Sequence, residues 1–138
     1  MLATSGTRRA KRPGEVIEPK LDGVRSIIET HDGLTRIFSR DGHDVTDCYP
    51  EIARLPISLA NTSAVFDGEI VAIAGNGLPN FQLLQQRMNR RKPSAAQVAT
   101  VPVAMFVFDV LWLDGEDLTR LPLRERRRRL ELFAFDRS

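Results

Sequence analysis

A lysine, an aspartate and an arginine surround a glycine in the segment EPKLDGVR, and these side chains could carry chemistry. Lys20 offers an amine, Asp22 a carboxylate and Arg25 a guanidinium that can clamp a phosphate. A lysine is protonated at neutral pH, but burial and nearby cations would lower its pKa and free the amine for attack. A carboxylate could hold a divalent metal that neutralises a triphosphate. These residue types therefore fit attack of a lysine amine on a phosphorus atom.

A second pair of carboxylates stands in the apolar segment AVFDGEIVAIA. If this segment is extended, Asp67 and Glu69 lie on the same face because side chains alternate along a strand. Two carboxylates on an apolar face cost desolvation free energy unless a metal ion, a lysine or an arginine meets them. The alternative is that Asp67 and Gly68 form a bulge and that Glu69 lies on a rim.

Aromatic residues alternate in the segment FVFDVLW, where we predict that Phe106 and Phe108 share a strand face with Val110 and Trp112. Aromatic residues at such positions usually belong to the core, but one at a pocket edge can stack on a nucleobase. Asp109 falls on the opposite face, where it can anchor a backbone group or pair with an arginine.

Arg40 precedes an Asp-Gly turn in the segment SRDG. An arginine at a strand end can bind a phosphate with two parallel hydrogen bonds, or it can be an exposed cation. His31 and His43 both stand in turn segments without a second ligand at metal-binding spacing, so we expect surface residues. We expect Cys48 to be a small buried apolar residue.

Short segments separated by turns must position these side chains. Five of the nine glycines follow an aspartate, and Asp-Gly favours turns because both residues tolerate positive φ. Strands that are neighbours in sequence favour antiparallel sheet with helices packed against it, an α+β fold. We predict strands in VRSIIE, LTRIFSR, SAVFDGEIVAIA and VPVAMFVFDVLWLDG, and helices in YPEIARLPISLA, NFQLLQQRMNRR and PLRERRRRLELF.

Details of three helices follow from their sequences. Pro56 is expected to break the first helix, and Asn80 is expected to cap the second at its N-terminus. The last helix carries Leu123, Leu130 and Phe133 on one side, which predicts the face that meets the sheet.

Composition excludes several classes of protein. The chain has 138 residues, enough for one domain, and no apolar run approaches the roughly 20 residues of a membrane span. Its N-terminus lacks the apolar stretch of a secretory signal. One cysteine excludes an internal disulfide framework. We therefore expect a cytoplasmic protein that does not enter a membrane.

Basic residues are clustered although the net charge is only +2. Three such clusters on a small domain favour a nucleic-acid or nucleotide partner over purely solvated faces. They are Arg8, Arg9, Lys11 and Arg12; Arg87, Arg90, Arg91 and Lys92; and Arg124 with Arg126, Arg127, Arg128 and Arg129.

The order of these segments resembles that of the ATP-dependent DNA ligases. KLDGVR resembles the adenylation motif Lys-x-Asp-Gly-x-Arg, and SRDG resembles the motif Ser-Arg-x-Gly. FDGEIVA is similar to the motif with an Asp-Gly-Glu core, and FVFDVLWLDG followed by LPLRERRRRL is similar to the aromatic motif and its helix. MLAT at the start resembles the ligase module of bacterial end-joining enzymes. The motifs occur in the family's order across nearly the whole chain.

The resemblance implies a partial nucleotidyltransferase fold of the DNA ligase and mRNA-capping type, with antiparallel sheets flanked by helices. It implies that Lys20 attacks the α-phosphate of ATP and holds AMP as a phosphoramidate. Asp22 would position this lysine and a divalent metal. Arg25 and Arg40 would bind ribose or phosphate groups, and later the 5′-phosphate of DNA.

The remaining implied roles concern the base, the ribose and the substrates. Glu69 would contact the ribose or, with Asp22, the metal, which would be Mg²⁺ or Mn²⁺. Phe108 would stack on adenine, and Phe106 is the second choice. The implied substrates are ATP and nicked or broken double-stranded DNA, sealed in repair or recombination.

The chain also departs from the ligase pattern. We expect a basic lead-in at 1–14 and a partial adenylation domain at 15–138, because the later Glu-Gly and Lys-x-Lys motifs and the oligonucleotide-binding barrel do not follow. Val16 stands where relatives often carry an aromatic residue. We therefore expect no nick sealing and weak or absent self-adenylation by this chain alone, and an uncovered sheet edge or apolar face that promotes association.

Three interpretations follow. The first is part of a ligase adenylation domain, encoded by a truncated gene or completed by a second chain that supplies the absent motifs. The second is a non-catalytic nucleotide- or DNA-binding remnant. The third is another lysine nucleotidyltransferase, an RNA ligase or a capping enzyme, although the extended match favours DNA ligase.

Overall fold

A single antiparallel sheet with short helices makes up residues 20–54 and 62–133, the part of the chain that this computed structural model describes. The lead-in at 1–14, Val16 and Pro56 lie outside these residues. The strands are β1 (Val24–His31), β2 (Leu34–Ser39), β3 (Ala64–Ala72), β4 (Val103–Leu113) and β5 (Glu116–Asp117). The helices are α1 (Pro50–Ala53), α2 (Phe81–Gln85), α3 (Ala95–Thr100) and α4 (Leu123–Leu130).

The sheet order is β2-β1-β3-β4-β5, and all four pairings are antiparallel. The predicted hairpin of β1 and β2 is confirmed, with positive φ at Asp32 and Gly33 in its turn. The predicted α+β class is therefore confirmed. No helix among the described residues is long and apolar enough to cross a membrane.

The hydrophobic core lies on one face of the sheet. Ile28 of β1 pairs with Ile37 and Phe66 of its two neighbouring strands, and all three are buried. Burying a side chain of this size stabilises the fold by roughly 1.5–3 kcal/mol. The ring of Phe133, just after α4, meets Phe66 edge-on at a centroid distance of 5.4 Å. Leu130 also packs against this core, which confirms two of the three contacts predicted for the last helix.

Two of the five Asp-Gly pairs, those at Gly23 and Gly68, do not form the turns that their sequence predicts. A Cβ on Gly23 would lie 2.2 Å from the carbonyl oxygen of Ile70, and one on Gly68 would lie 2.5 Å from that of Phe106. Neither glycine has positive φ. Both are therefore required by close backbone packing rather than by turn geometry.

The pairing of β3 with β4 contains two register shifts, one of which falls between Asp67 and Gly68. The bulge foreseen at Asp67 and Gly68 lies instead in the partner strand, because the extra residues belong to β4 while β3 keeps a continuous register with β1. The shifts break the alternation of β4: Val110 is fully buried, whereas Phe106 is 44% and Trp112 is 39% exposed. The prediction that Val110 shares their face is wrong, since β4 has an extra residue on each side of Val110, namely Phe108 and Leu111.

The helix after β3 is shorter than its apolar periodicity predicts. Asn80 caps it as expected, with its Oδ1 accepting the N–H of Leu83 at 3.0 Å. The helix ends at Gln85 because Arg87 is buried, 1% exposed, and Asn89 takes positive φ. Helix α3 was not predicted.

Helix α4 is anchored to β4 by an ion pair. The Nε and Nη2 atoms of Arg126 donate to the two carboxylate oxygens of Asp109 at 2.8 and 2.7 Å. Arg126 also donates to the carbonyl of Leu121. Asp109 therefore pairs with an arginine, which was one of the two roles predicted for it.

Candidate active site

Four of the predicted site residues lie at one end of the sheet. Arg25 of β1 pairs in register with Glu69 of β3, which pairs with Phe106 of β4. Ser39 pairs with Ser26, so Arg40, the next residue, leaves β2 at the same end. Antiparallel pairing thus gathers positions that are far apart in sequence.

The segment with the predicted nucleophile lies beside this end of the sheet. The Lys20 side chain is 86% exposed, and its Nζ is 4.0 Å from a carboxylate oxygen of Asp22. The burial expected to activate this amine is therefore not observed. The backbone N–H of Gly23 donates to Oε1 of Glu69 at 2.8 Å, which fixes the start of β1 over β3.

An arginine, rather than a metal or a lysine, meets the buried carboxylate of β3. Arg25 Nε donates to Asp67 Oδ1 at 2.9 Å and Arg25 Nη2 to Oδ2 at 2.5 Å. This hydrogen bonding raises the pKa of Arg25 above its ordinary value. From the sequence, an arginine was one possible partner of Asp67, but which arginine could not be inferred. The antiparallel register of β1 and β3 places Arg25 beside Asp67.

The two candidate aromatic residues differ in their surroundings. The guanidinium of Arg25 lies over the ring of Phe108, 5.6 Å from its centroid, which is a cation–π distance. Phe106 is the more exposed of the two. A partly buried ring beside an arginine offers the better surface for stacking a base. Phe108 therefore stays the first choice for the residue that stacks on adenine.

The site offers carboxylate oxygens to a divalent metal but not a complete set of protein ligands. The Asp22 side chain is 70% exposed, and Oε2 of Glu69 is not used by Gly23. No group of three His, Cys, Asp or Glu residues is arranged as a metal site in the described part of the chain. Magnesium usually binds one or two carboxylates together with substrate phosphates, so these residues fit that ion.

Two grooves formed by the described residues lie away from this site. One, of about 630 Å³, lies at the other end of the sheet around His31 and Trp112. The other, of about 640 Å³, is lined by Arg54 and Lys92. The candidate site is instead an open surface of the sheet.

Other sequence predictions concern residues outside the site. His31 and His43 are exposed and Cys48 is buried, as expected. The large apolar residues Leu34 and Trp112 are 69% and 39% exposed. Association through such surfaces stays a prediction.

The sheet brings Lys-x-Asp-Gly-x-Arg beside Asp-Gly-Glu and an aromatic strand. The model of the ATP dependent DNA ligase domain matches residues 1–135. The chain therefore belongs to the ATP-dependent DNA ligase family.

Individual relatives agree with this assignment. The chain is 38% identical over 135 residues to the multifunctional non-homologous end joining protein LigD of Mycolicibacterium smegmatis, covering 97% of this chain and 16% of that protein. It is 37% identical over 131 residues to a probable DNA ligase of Streptomyces avermitilis, covering 91% of this chain and 26% of the relative. A DNA ligase of Pyrobaculum neutrophilum is 44% identical over 134 residues, covering 94% and 23%. The chain spans about a quarter or less of the length of these relatives.

Solved structures show the same fold. A mycobacterial DNA ligase D complexed with ATP and MES superposes with a TM-score of 0.70 at 35% identity, covering 83% of this chain and 35% of that one. The ligase domain of Mycobacterium tuberculosis LigD superposes with a TM-score of 0.67 at 35% identity, covering 82% and 34%. The fold is therefore that of a ligase adenylation domain.

Proposed function

We propose that Lys20 is the residue that accepts AMP in the first step of DNA ligation. Its deprotonated Nζ attacks the α-phosphorus of ATP, a nitrogen–phosphorus bond forms, and the bond to the β-phosphate oxygen breaks. Pyrophosphate leaves, and the ammonium proton passes to solvent. The observation that carries this proposal is the hydrogen bond from Gly23 to Glu69, which ties the lysine segment to the β3 carboxylate.

The other residues bind and orient the nucleotide. Phe108 would offer a ring for adenine, and Glu69 would contact the ribose. Arg25 and Arg40 carry the guanidinium groups that fit phosphates, first of the nucleotide and then of a DNA 5′-end. Asp22 and Glu69 would hold Mg²⁺ or Mn²⁺, which when bound would offset charge on the phosphates.

The exposure of Lys20 supports a pocket completed by further polypeptide. A lysine nucleophile is activated by desolvation or by neighbouring cations, whereas Lys20 lies in solvent beside Asp22. Roughly two thirds of the matched mycobacterial ligase structure has no counterpart in this chain. We propose that such a region, in the same or a second polypeptide, covers the open face and activates the lysine. The substrate would be nicked or broken double-stranded DNA, and the compartment the cytoplasm.

A titration with ATP tests the nucleotide site. Amide NMR shifts should change at residues 20–25 and 106–108, and Phe108→Ala should weaken binding by about tenfold, since one stacked base contributes roughly 1–3 kcal/mol. Phe106→Ala is the matched control and should cost less. Shifts confined to the groove around Trp112, or equal losses in both variants, would contradict the proposed site.

A further inference from the structure

Two buried carboxylates stand opposite each other on neighbouring strands of the sheet. The register pairs Asp67 of β3 with Asp109 of β4, and these residues are only 6% and 8% exposed. Side chains at opposite positions of an antiparallel pair have Cβ atoms about 4.5–5.5 Å apart, and like charges placed there are destabilising. Each carboxylate therefore needs a cation of its own.

A different arginine meets each carboxylate. Arg25, from β1, makes two hydrogen bonds with Asp67, at 2.9 and 2.5 Å. Arg126, from α4, makes two with Asp109, at 2.8 and 2.7 Å. Bidentate pairs of this kind fix the orientation of the guanidinium as well as neutralising the carboxylate. The two ion pairs thus divide two arginines between two neighbouring carboxylates.

Asp109 also fixes the backbone beside the candidate aromatic residue. Phe108 is the extra residue that β4 carries directly before Asp109. Oδ1 of Asp109 accepts the N–H of Val110 at 2.9 Å in addition to the Nε–H of Arg126. A side chain that bonds its own backbone in this way holds the chain in a non-regular conformation. The carboxylate that Arg126 holds is therefore part of the bulge that presents Phe108.

The second ion pair also bears on Arg25. Its hydrogen bond to Asp67 is the main cause that raises the pKa of Arg25, and the negative charge of Asp109 adds to that increase. Without Arg126, Asp109 would be a mostly buried carboxylate that has lost its bidentate cation, which is costly. Its charge would then draw the Arg25 guanidinium away from Asp67 and off the ring of Phe108, which it now overlies at 5.6 Å.

We propose that Arg126 is a positioning residue of the nucleotide site. By holding Asp109, it leaves Arg25 paired with Asp67 and keeps the ring of Phe108 in place for a base. The inference rests on the proposed function, in which Phe108 stacks on adenine and Arg25 binds phosphate. It gives α4 a part in nucleotide binding that sequence motifs alone did not assign to it.

Isothermal titration calorimetry with ATP and Mg²⁺ tests the effect on binding. Arg126→Met removes the charge at similar side-chain length and should weaken ATP binding by about fivefold to tenfold, the size expected when one well-placed contact is lost. The matched control is Arg128→Met on the same helix, where the arginine lies 3.6 Å from Glu125 in an exposed pair. The control should change ATP affinity by less than about twofold.

A double variant separates positioning from simple loss of stability. Arg126→Met plus Asp109→Asn also removes the competing charge, while the amide oxygen of asparagine can still accept the N–H of Val110. ATP affinity should return to within about twofold of that of the unaltered chain, because the two changes act on one network and are not additive. If α4 contributed only stability, the double variant would bind ATP no better than Arg126→Met.

The NMR signal of the Arg25 Nε–H group reports the pairing without any ligand, since this group donates to Asp67. The signal should shift in Arg126→Met and return in the double variant. If the unaltered chain binds no ATP, the proposed function fails, and the Arg25 signal alone then decides the positioning role of Arg126.

An Arg25 signal that stays in place in Arg126→Met would overturn the proposal, and so would a double variant that recovers neither the signal nor the ATP affinity. Arg126→Lys is a second test, because it keeps the charge on α4 if the methionine variant does not fold. It should retain the Arg25 signal and most of the ATP affinity. A loss of that signal in Arg126→Lys would also overturn the proposal.

Discussion

At the residue scale, the two glycines in the Asp-Gly motifs of the site differ from those in the Asp-Gly turns. They are needed for close strand packing rather than for positive φ. Gly23 and Gly68 let neighbouring strands approach where a Cβ would meet a backbone carbonyl. Gly23 also donates the N–H that Glu69 accepts. The sequence motif therefore specifies strand packing as well as the residues that carry chemistry.

Replacing Gly23 by alanine should destabilise the fold and disrupt the site. The new Cβ would lie 2.2 Å from the Ile70 carbonyl, which cannot move without shifting β3. We expect the free energy of unfolding to fall by about 1–3 kcal/mol, measured by urea denaturation. Gly75→Ala is the matched control, because nothing lies within 4 Å of its Cβ. Similar losses in the two variants would contradict this packing argument.

Tyr49 should make the protein sensitive to alkaline pH. Burial raises its pKa from 10.0 to about 12, since desolvation disfavours the charged phenolate. Below pH about 10 the folded and unfolded states both keep the proton, so the contribution to stability is fully present. Between pH 10 and about 12 only the unfolded state ionises, and stability falls by on the order of 2 kcal/mol.

The comparison with Tyr49→Phe measures that loss. This variant keeps the buried ring but cannot ionise, so its free energy of unfolding should fall less over the same pH range. Tyr49 is the single tyrosine of the chain, so its absorbance reports the titration directly. A phenol that titrates near pH 10 in the folded protein would refute the prediction.

At the scale of elements, an ion pair joins α4 to β4. Asp109 and Arg126 are mostly buried and joined by two hydrogen bonds. Asp109→Asn and Arg126→Ala should each lower the free energy of unfolding by about 2 kcal/mol, with a coupling of about 1–2 kcal/mol in the double-mutant cycle. Arg128→Ala, at an exposed pair, should cost less than about 0.5 kcal/mol. Additive effects of the first two variants would exclude the anchoring role.

Local patterns predicted the elements, and long-range contacts decided their limits. The β1–β2 hairpin and the Asn80 cap were readable because a turn pair and a capping residue act within a few positions. The end of α2 could not be predicted, since it depends on burial of Arg87 against the distant carbonyls of Val101 and Cys48. Helix α3 had a signal that could have revealed it, namely Ser94 and Gln97 in a capping box.

The sequence proposed residues for the candidate site but not the geometry in which they meet. Motif order led to the prediction of Lys20, Glu69 and Phe108, because chemistry restricts which residue types can stand there, and their roles stay a prediction. The pairing of Arg25 with Asp67 needed the strand register, and the bulge at Phe108 needed the pairing of β3 with β4. These features depend on residues more than 40 positions apart, as the separation of 42 between Arg25 and Asp67 illustrates.

At the scale of the whole molecule, the candidate site is an open face with an exposed nucleophile. Phe106, which is 44% exposed, presents aromatic surface there, and Lys20 lies in solvent. A ligase pocket needs its α-phosphate charge stabilised and its lysine activated. We therefore predict that AMP transfer to Lys20 depends on polypeptide beyond the matched region.

Intact mass spectrometry after incubation with ATP and Mg²⁺ tests this central claim most directly. The chain would be assayed alone and mixed with the part of the mycobacterial LigD ligase domain that lies outside the matched region. We predict little adduct on the chain alone, one AMP on it in the mixture, no adduct with Lys20→Ala, and an unchanged adduct with the control Lys92→Ala. An adduct that persists in Lys20→Ala, or none in the mixture, would contradict the account.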